Sequence, residues 1–207
     1  AIRLGMENCQ AAAVAAADFA WSHGHDQGRF VGGTIDNPDV VDKEAGTIAL
    51  DAYLALHECT GEPRFLEYAR AAAAFAETWI YLWNLPMPAT PPTHYQADIA
   101  TVGMQLIATG HSLVDAYMAF DAGNYLRLHR LTGDHHFREV AEILLHNTKA
   151  MMATQAQPHD LAGPGWQQEH WSFAPPRGCG LHRYWLPWVS VSHLHGMASW
   201  AKEKTLR

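Results

Sequence analysis

Apolar side chains recur at helical spacing along most of this chain. Between residues 6 and 22, a run of alanines with Val14, Phe19 and Trp21 predicts a helix, and its small side chains suit close packing against a neighbour. From about 39 to 59, Ile48, Ala49, Ala52, Tyr53 and Leu56 mark a second helix, with Asp42 and Thr47 near its start and Thr60-Gly61 ending it. Pro63 opens a third, whose stripe of Phe65, Leu66, Ala69, Ala72, Ala73, Ala76, Trp79 and Ile80 runs on to about residue 84. A further helical pair is predicted over 112–131 and 135–153. Val189, Val191, Leu194, Met197 and Trp200 predict a last helix after residue 186.

The pattern contains a duplication. YLALHECTGEPRFLEYA, from Tyr53 to Ala69, realigns with YLRLHRLTGDHHFREVA, from Tyr125 to Ala141, matching at nine of seventeen positions at a spacing of 72. The repeating unit is a helical hairpin closed by a Thr-Gly turn. His57 and His129 recur beside that turn, which predicts a structural duty, hydrogen bonding to turn carbonyls. Because each short turn returns the chain, the long connections leave from the opposite end. Those connections run to about 16, 26 and 33 residues, beyond the ~12 to 15 at which structureless loops become uncommon, and such loops are usually functional. A helix of about 20 residues is roughly 30 Å long, so the turn end is too distant to share a site with the loop end. About six helices leave a lone arm at each end, and an unpaired arm exposes an apolar stripe. The chain, which starts without a methionine, therefore reads as a single all-α domain over 1–207. It is expected to be a piece of a larger ring, or to be completed by another copy.

Composition narrows the partners. With 48% hydrophobic and 17% charged residues the chain can bury a substantial core. A net charge of −7 with only 14 Lys and Arg argues against nucleic acid or an acidic membrane surface as partner. Cys9, Cys59 and Cys179 are odd in number, far apart and without a CxxC pair, which favours a reducing compartment such as the cytoplasm over a disulfide framework or a thiolate zinc site. No apolar stretch reads as a signal peptide or a membrane span.

The candidate chemistry lies in the three long connections. The first, HGHDQGRFVGGTIDNPDVVDKEAG, carries Asp26, Asp36, Asp39, Asp42 and Glu44, enough carboxylates to supply a general acid or base. Asp39 and Asp42 serve equally well as caps of the following helix. The second connection offers His94, Tyr95, Asp98, His111 and Asp115, with Asp115 expected one turn inside the next helix. Asp121 lies nearly two turns deeper. The third gathers Trp166, Gln167, Gln168, Glu169, His170, Trp171, Arg177, His182, Arg183, Tyr184, Trp185 and Trp188 within a Gly/Pro-rich loop. Indoles stack on the C–H faces of sugars, and the polar groups would pair with hydroxyls. Arg177 and Arg183 could bind a uronate carboxylate bidentately. The same tryptophans could simply anchor the loop to the core. No HExxH pair, GxSxG elbow or phosphate-binding glycine loop occurs, so no metal and no cofactor is expected.

The segments TIDNPDVVDKEAGTIALDAYLALHECTGEPRFLEYA, GHSLVDAYMAFDAGNYLRLHRLTGD and GPGWQQEHWSFAPPRGCGLHRYWLPWVSVSHLHG together resemble the hairpins of six-hairpin glycosidases. The resemblance implies an (α/α)6 toroid, of which this chain would hold about three hairpins, the C-terminal part of a longer catalytic domain. It also implies a sugar groove at the loop end, with catalytic carboxylates near inner-helix starts. The expectation is a glycoside hydrolase acting on an oligo- or polysaccharide, with Glu169 and one of Asp42, Glu44 or Asp115 as the acid/base pair. Asp36, His111, Trp166, Gln168, His170, Arg177, His182, Arg183 and Trp185 would bind substrate. A uronate lyase or sugar epimerase is the alternative on the same fold, and a non-catalytic helical-repeat binding scaffold is the rival outside enzymology.

Overall fold

The computed structural model of the chain describes residues 6–33, 37–84, 86, 101–109, 113–115, 121–149, 152–156, 158, 161–167, 170–172 and 187–205. Helices dominate, as the hydrophobic spacing predicts, and the chain divides into two compact units, Ala1–Thr78 and Trp79–Arg207.

The first unit holds α1 (Glu7–Ser22), α2 (Lys43–Thr60) and α3 (Pro63–Glu77). Pro63 starts α3 where its missing N–H costs nothing. Helices α2 and α3 form a hairpin sealed by Leu50, Leu54, Phe65, Ala69, Ala72, Ala73 and Ala76, all with no exposed surface. The alanines let the helices approach closely, and each fully buried Leu or Phe contributes about 2 kcal/mol. Helix α1 is fastened to this hairpin by Trp21, stacked on Tyr68 at 3.9 Å, and by the Asp18–Arg64 ion pair at 3.1 Å. Fully buried Phe30 stacks between His25 at 4.2 Å and Phe75 at 4.5 Å, which pins the connection between α1 and α2 to the core.

The second unit holds α4 (Asp121–Thr132), α5 (His135–Thr148) and α6 (Pro187–Thr205). From Asp121 to Leu126 every residue of α4 is buried, whereas α5 buries the single stripe Phe137, Val140, Ala141 and Leu144. That contrast is the difference between an inner and an outer helix. Helix α6 packs on α4, where Arg130 pairs with Glu203 at 2.9 Å, and Arg138 of α5 lies over the Trp200 ring at 5.1 Å. A three-stranded antiparallel sheet completes the unit in the order β1 (Gln105–Leu106), β2 (Leu113–Asp115), β3 (His170–Ser172).

The duplicated turns are built atom for atom alike. Gly61 and Gly133 both adopt φ 72°, and their N–H groups donate to the carbonyls of His57 and His129 at 2.8 Å. The Thr60 and Thr132 hydroxyls donate to the carbonyls of Leu56 and Leu128, at 2.8 and 2.7 Å. Each then accepts the N–H of Glu62 or Asp134 at 3.1 Å. The His57 and His129 rings donate through Nδ1 to the carbonyls of Glu62 and Asp134, both at 2.9 Å. Both histidines are therefore structural, in the role the repeat predicts.

Three helical expectations are corrected. The stripe from Phe65 does not carry the helix to residue 84: α3 ends at Glu77. Trp79, Ile80 and Tyr81 instead pair with the segment around β1, through Leu106 N–H to Trp79 carbonyl at 3.0 Å and Tyr81 N–H to Met104 carbonyl at 2.9 Å. Trp, Ile and Tyr are strand formers, and a partner strand outweighs their helical spacing. The helix expected over 112–131 begins only at Asp121, because Leu113, Val114 and Asp115 are taken up by the sheet. Asp115 is thus a strand residue rather than one on the first turn of a helix. The helix expected over 135–153 ends at Thr148, after which Met152 bridges to Gln167.

A Cβ on Gly61 or Gly133 would meet no atom within 4 Å, so replacement by alanine acts through backbone conformation alone. Gly61→Ala and Gly133→Ala should each destabilise the chain by about 1 kcal/mol, the cost of a left-handed conformation for an L-residue, as read from urea denaturation.

Candidate functional site

In the first unit, the connection ahead of α2 is organised around one carboxylate. Asp42 has no exposed surface and caps α2 from an extended conformation. Its Oδ1 accepts the N–H of Ala45 at 2.7 Å, its Oδ2 accepts the N–H of Gly33 at 2.8 Å, and its own N–H donates to the Phe30 carbonyl at 3.1 Å. A Cβ at Gly33 would collide with this carboxylate, so the glycine permits the approach. A bridge between Val31 and Val41 closes the base of the loop. Of the two duties open to Asp42, cap or acid/base, the geometry displays the cap. Glu44 is half-buried in the first turn of α2, where the helix dipole favours its charge. Lys43, between them, has no exposed surface; nothing in the sequence singles it out, although a buried ammonium is rare without compensation. Asp39 stands apart, exposed and 3.8 Å from Arg29, a pairing worth little in solvent.

The HGHD segment serves the core. His25 Nδ1 shares a 2.6 Å hydrogen bond with the Tyr53 hydroxyl. Burial holds the imidazole below its ordinary range, opposed by Asp26, and burial pushes the Tyr53 phenol upward. Among the described residues, no group of His, Cys, Asp and Glu is arranged to hold a metal ion. Likewise, no helix there is long and apolar enough to cross a membrane.

In the second unit, the sheet joins the second and third long connections. Asp115 is the Cα partner of Gln105 on one side and of His170 on the other, and Gln105 is bridged in turn to Ile80. Ile80, Gln105, Asp115 and His170 thus form one cross-strand row, with neighbouring Cα atoms about 4.5 to 5.5 Å apart. Glu169 immediately precedes β3 in the chain. The third connection is pinned ahead of that strand: Gly165 N–H donates to the Ala153 carbonyl, and Ala153 N–H to the Trp166 carbonyl, both at 2.8 Å. Trp166 is half-buried with its indole against Gly163, where an added Cβ would lie 3.2 Å from Nε1. Gln105 and Gln167, both buried, belong to this region; Gln167 falls in the aromatic cluster that the sequence marks, whereas Gln105 was not singled out. Asp121, at the start of α4, is fully buried beside Ala122 and near Asn124.

Of the residues expected to form the site, Asp42, Glu44 and Trp166 are described in full, and Asp115 and His170 are placed as strand positions. Asp36, His111, Gln168, Glu169, Arg177, His182, Arg183 and Trp185 lie outside the described residues. What the structure brings together is therefore Asp115 with His170. Asp42 and Glu44 belong to the other unit.

The chain is similar in structure to a GH76 alpha-mannanase of Bacteroides thetaiotaomicron, at 13% sequence identity and a TM-score of 0.42, over 81% of this chain and 54% of that one. It spans about half the length of that enzyme. No protein-family model matches the chain, and no curated protein matches it.

Two outcomes follow from this geometry. Asp42→Ala, which removes acceptors for two backbone N–H groups, should cost about 2 kcal/mol of stability, and Asp42→Asn about 1, in thermal denaturation. The folded state holds His25 neutral, whereas the unfolded chain takes up its proton at about pH 6.5. The stability contributed by keeping His25 neutral is therefore complete above that pH and is lost as pH falls below it towards the lowered folded value. A Tm profile between pH 7 and 5 should slope less in His25→Gln than in the parent chain; equal slopes would remove His25 from the account.

Proposed function

We propose that this chain forms part of a carbohydrate-active enzyme, a glycoside hydrolase working by carboxylate acid/base catalysis, with its helical hairpins contributing to an (α/α)6 ring. The observation that carries the reading is the row that sets Asp115 against His170. It joins the connection bearing Asp115 to the aromatic connection that contains Glu169 in sequence. Asp42 is occupied at both oxygens by main-chain N–H groups, which leaves Asp115 as the better partner for Glu169.

In this reading one carboxylic acid protonates the glycosidic oxygen as the bond to the anomeric carbon breaks. The other carboxylate, ionised, either takes the proton of an attacking water or attacks the anomeric carbon itself, according to the distance between the two. His170, Gln168, His111 and Asp36 pair with sugar hydroxyls, and Trp166 and Trp185 offer apolar faces to the ring. Arg177, His182 and Arg183 extend the polar lining, and Arg177 and Arg183 would favour a sugar bearing a carboxylate.

Incubation with a panel of neutral and uronate-containing oligosaccharides should release reducing ends without generating ultraviolet-absorbing unsaturated uronates. Glu169→Gln and Asp115→Asn should each lower kcat by about 10² to 10⁴ while preserving the circular dichroism spectrum. Ultraviolet-absorbing product would replace hydrolysis by β-elimination, and absence of binding to every sugar would favour a binding scaffold.

A further inference from the structure

Helices α1 and α2 leave between them an open groove of about 500 Å³. Ala13, Ala16 and Ala20 form one wall and Ala49, Ala52 and Ala55 the other, spaced three and four residues apart so that each row keeps to one helix face. Alanines line a space that they do not fill, and such rows are the holes into which bulky side chains of a third helix fit as knobs. From Gln10 to Ala20 the lined stretch of α1 is about 15 Å long, at ~1.5 Å per residue. The second unit carries a ridge of matching length. On α6, Val191, Leu194 and Met197 are 61%, 62% and 50% exposed, and exposed Ala198 and Ala201 continue the same side. Val191 to Ala201 also spans about 15 Å.

Charge on the two surfaces is complementary. Helices α1 and α2 contain no arginine and one lysine, Lys43, which has no exposed surface, whereas Asp51 and Glu58 of α2 are exposed. The flank of the groove is therefore acidic. Helix α6 has one carboxylate, Glu203, which is buried against Arg130, while Lys202 and His195 are exposed. Its outward side thus offers cations and no acid.

We propose that the groove between α1 and α2 is an interface between copies of this chain, occupied by the Val191–Ala201 face of α6 from a second copy. The contact is a helix laid in an apolar groove, with Val191, Leu194 and Met197 entering the space between the alanine rows and the flanking charges setting the orientation. It joins unlike surfaces, so each copy brings one groove and one ridge, and assembly grows with concentration unless a symmetric arrangement closes it. The inference stands apart from the carbohydrate reading.

Sedimentation of the full chain over a range of concentrations tests it. The parent should rise above its monomer mass of 23.0 kDa as concentration increases, at higher concentrations when salt screens the flanks. Leu194→Asp breaks the ridge and Ala16→Asp breaks the groove, and both positions are exposed, so circular dichroism should stay unchanged. Each variant alone should need about thirtyfold more protein, or greater, to associate. An equal mixture of the two should recover association as a heterodimer, because one copy keeps its groove and the other its ridge. Should Leu194→Asp not fold, Leu194→Gln takes its place in the same mixture. A parent that stays monomeric at every concentration would overturn the proposal and leave the groove to an occupant other than α6. Association that survives both substitutions, or a mixture that recovers nothing, would overturn it equally.

Discussion

A connection that runs beneath its own surface must find a partner for every backbone N–H and C=O it buries, and this requirement shapes the loop ends of both units. In the first unit the solution is a side chain: Asp42 takes two main-chain N–H groups with its carboxylate and gives its own N–H to Phe30. In the second unit the solution is a sheet, three short strands that pair with one another. Once these main-chain bonds are made, the polar side chains they carry have fixed places. Gln105, Asp115 and His170 stand in one row for that reason, and Asp42 is committed to its cap.

The turn ends satisfy the same requirement with a different vocabulary. There a left-handed glycine, a threonine hydroxyl and a histidine ring suffice, all between Leu56 and Glu62 in one turn and Leu128 and Asp134 in the other. The units are therefore fastened at one end by local hydrogen bonds that recur unchanged, and at the other by contacts particular to each connection. Chemistry belongs with the second kind, since a recurring local lock has no freedom to vary with a ligand.

This division also decides what the sequence could reveal. The hairpins were legible because each rests on neighbours three and four residues apart and on the TG turn. The duty of His57 and His129 was legible because they recur in register. The capping alternative for Asp42 was legible from its position before a helical stripe. The sheet was not, for Leu-Val-Asp and His-Trp-Ser are three-residue segments whose extended state is dictated by partners far along the chain. The helical expectation for Leu113 to Asp115 therefore misled, and so did that for Trp79 and Ile80. The burial of Lys43 and Gln105 was equally hidden, because a polar residue in a long connection carries no local sign that the chain will close over it.

The row through Asp115 and His170 also orders events in time. A TG turn brings two helices together after a few residues, whereas β2 and β3 meet across 55 positions of chain. Closing the longer loop costs more entropy and is rewarded only when the pairing is complete, so local hairpins assemble before distant strands. The helical hairpins therefore form early, and the register of the sheet is among the last features to be set. Until that register locks, Gln105, Asp115 and His170 have no common address, and the chain carries its helices before it carries its site.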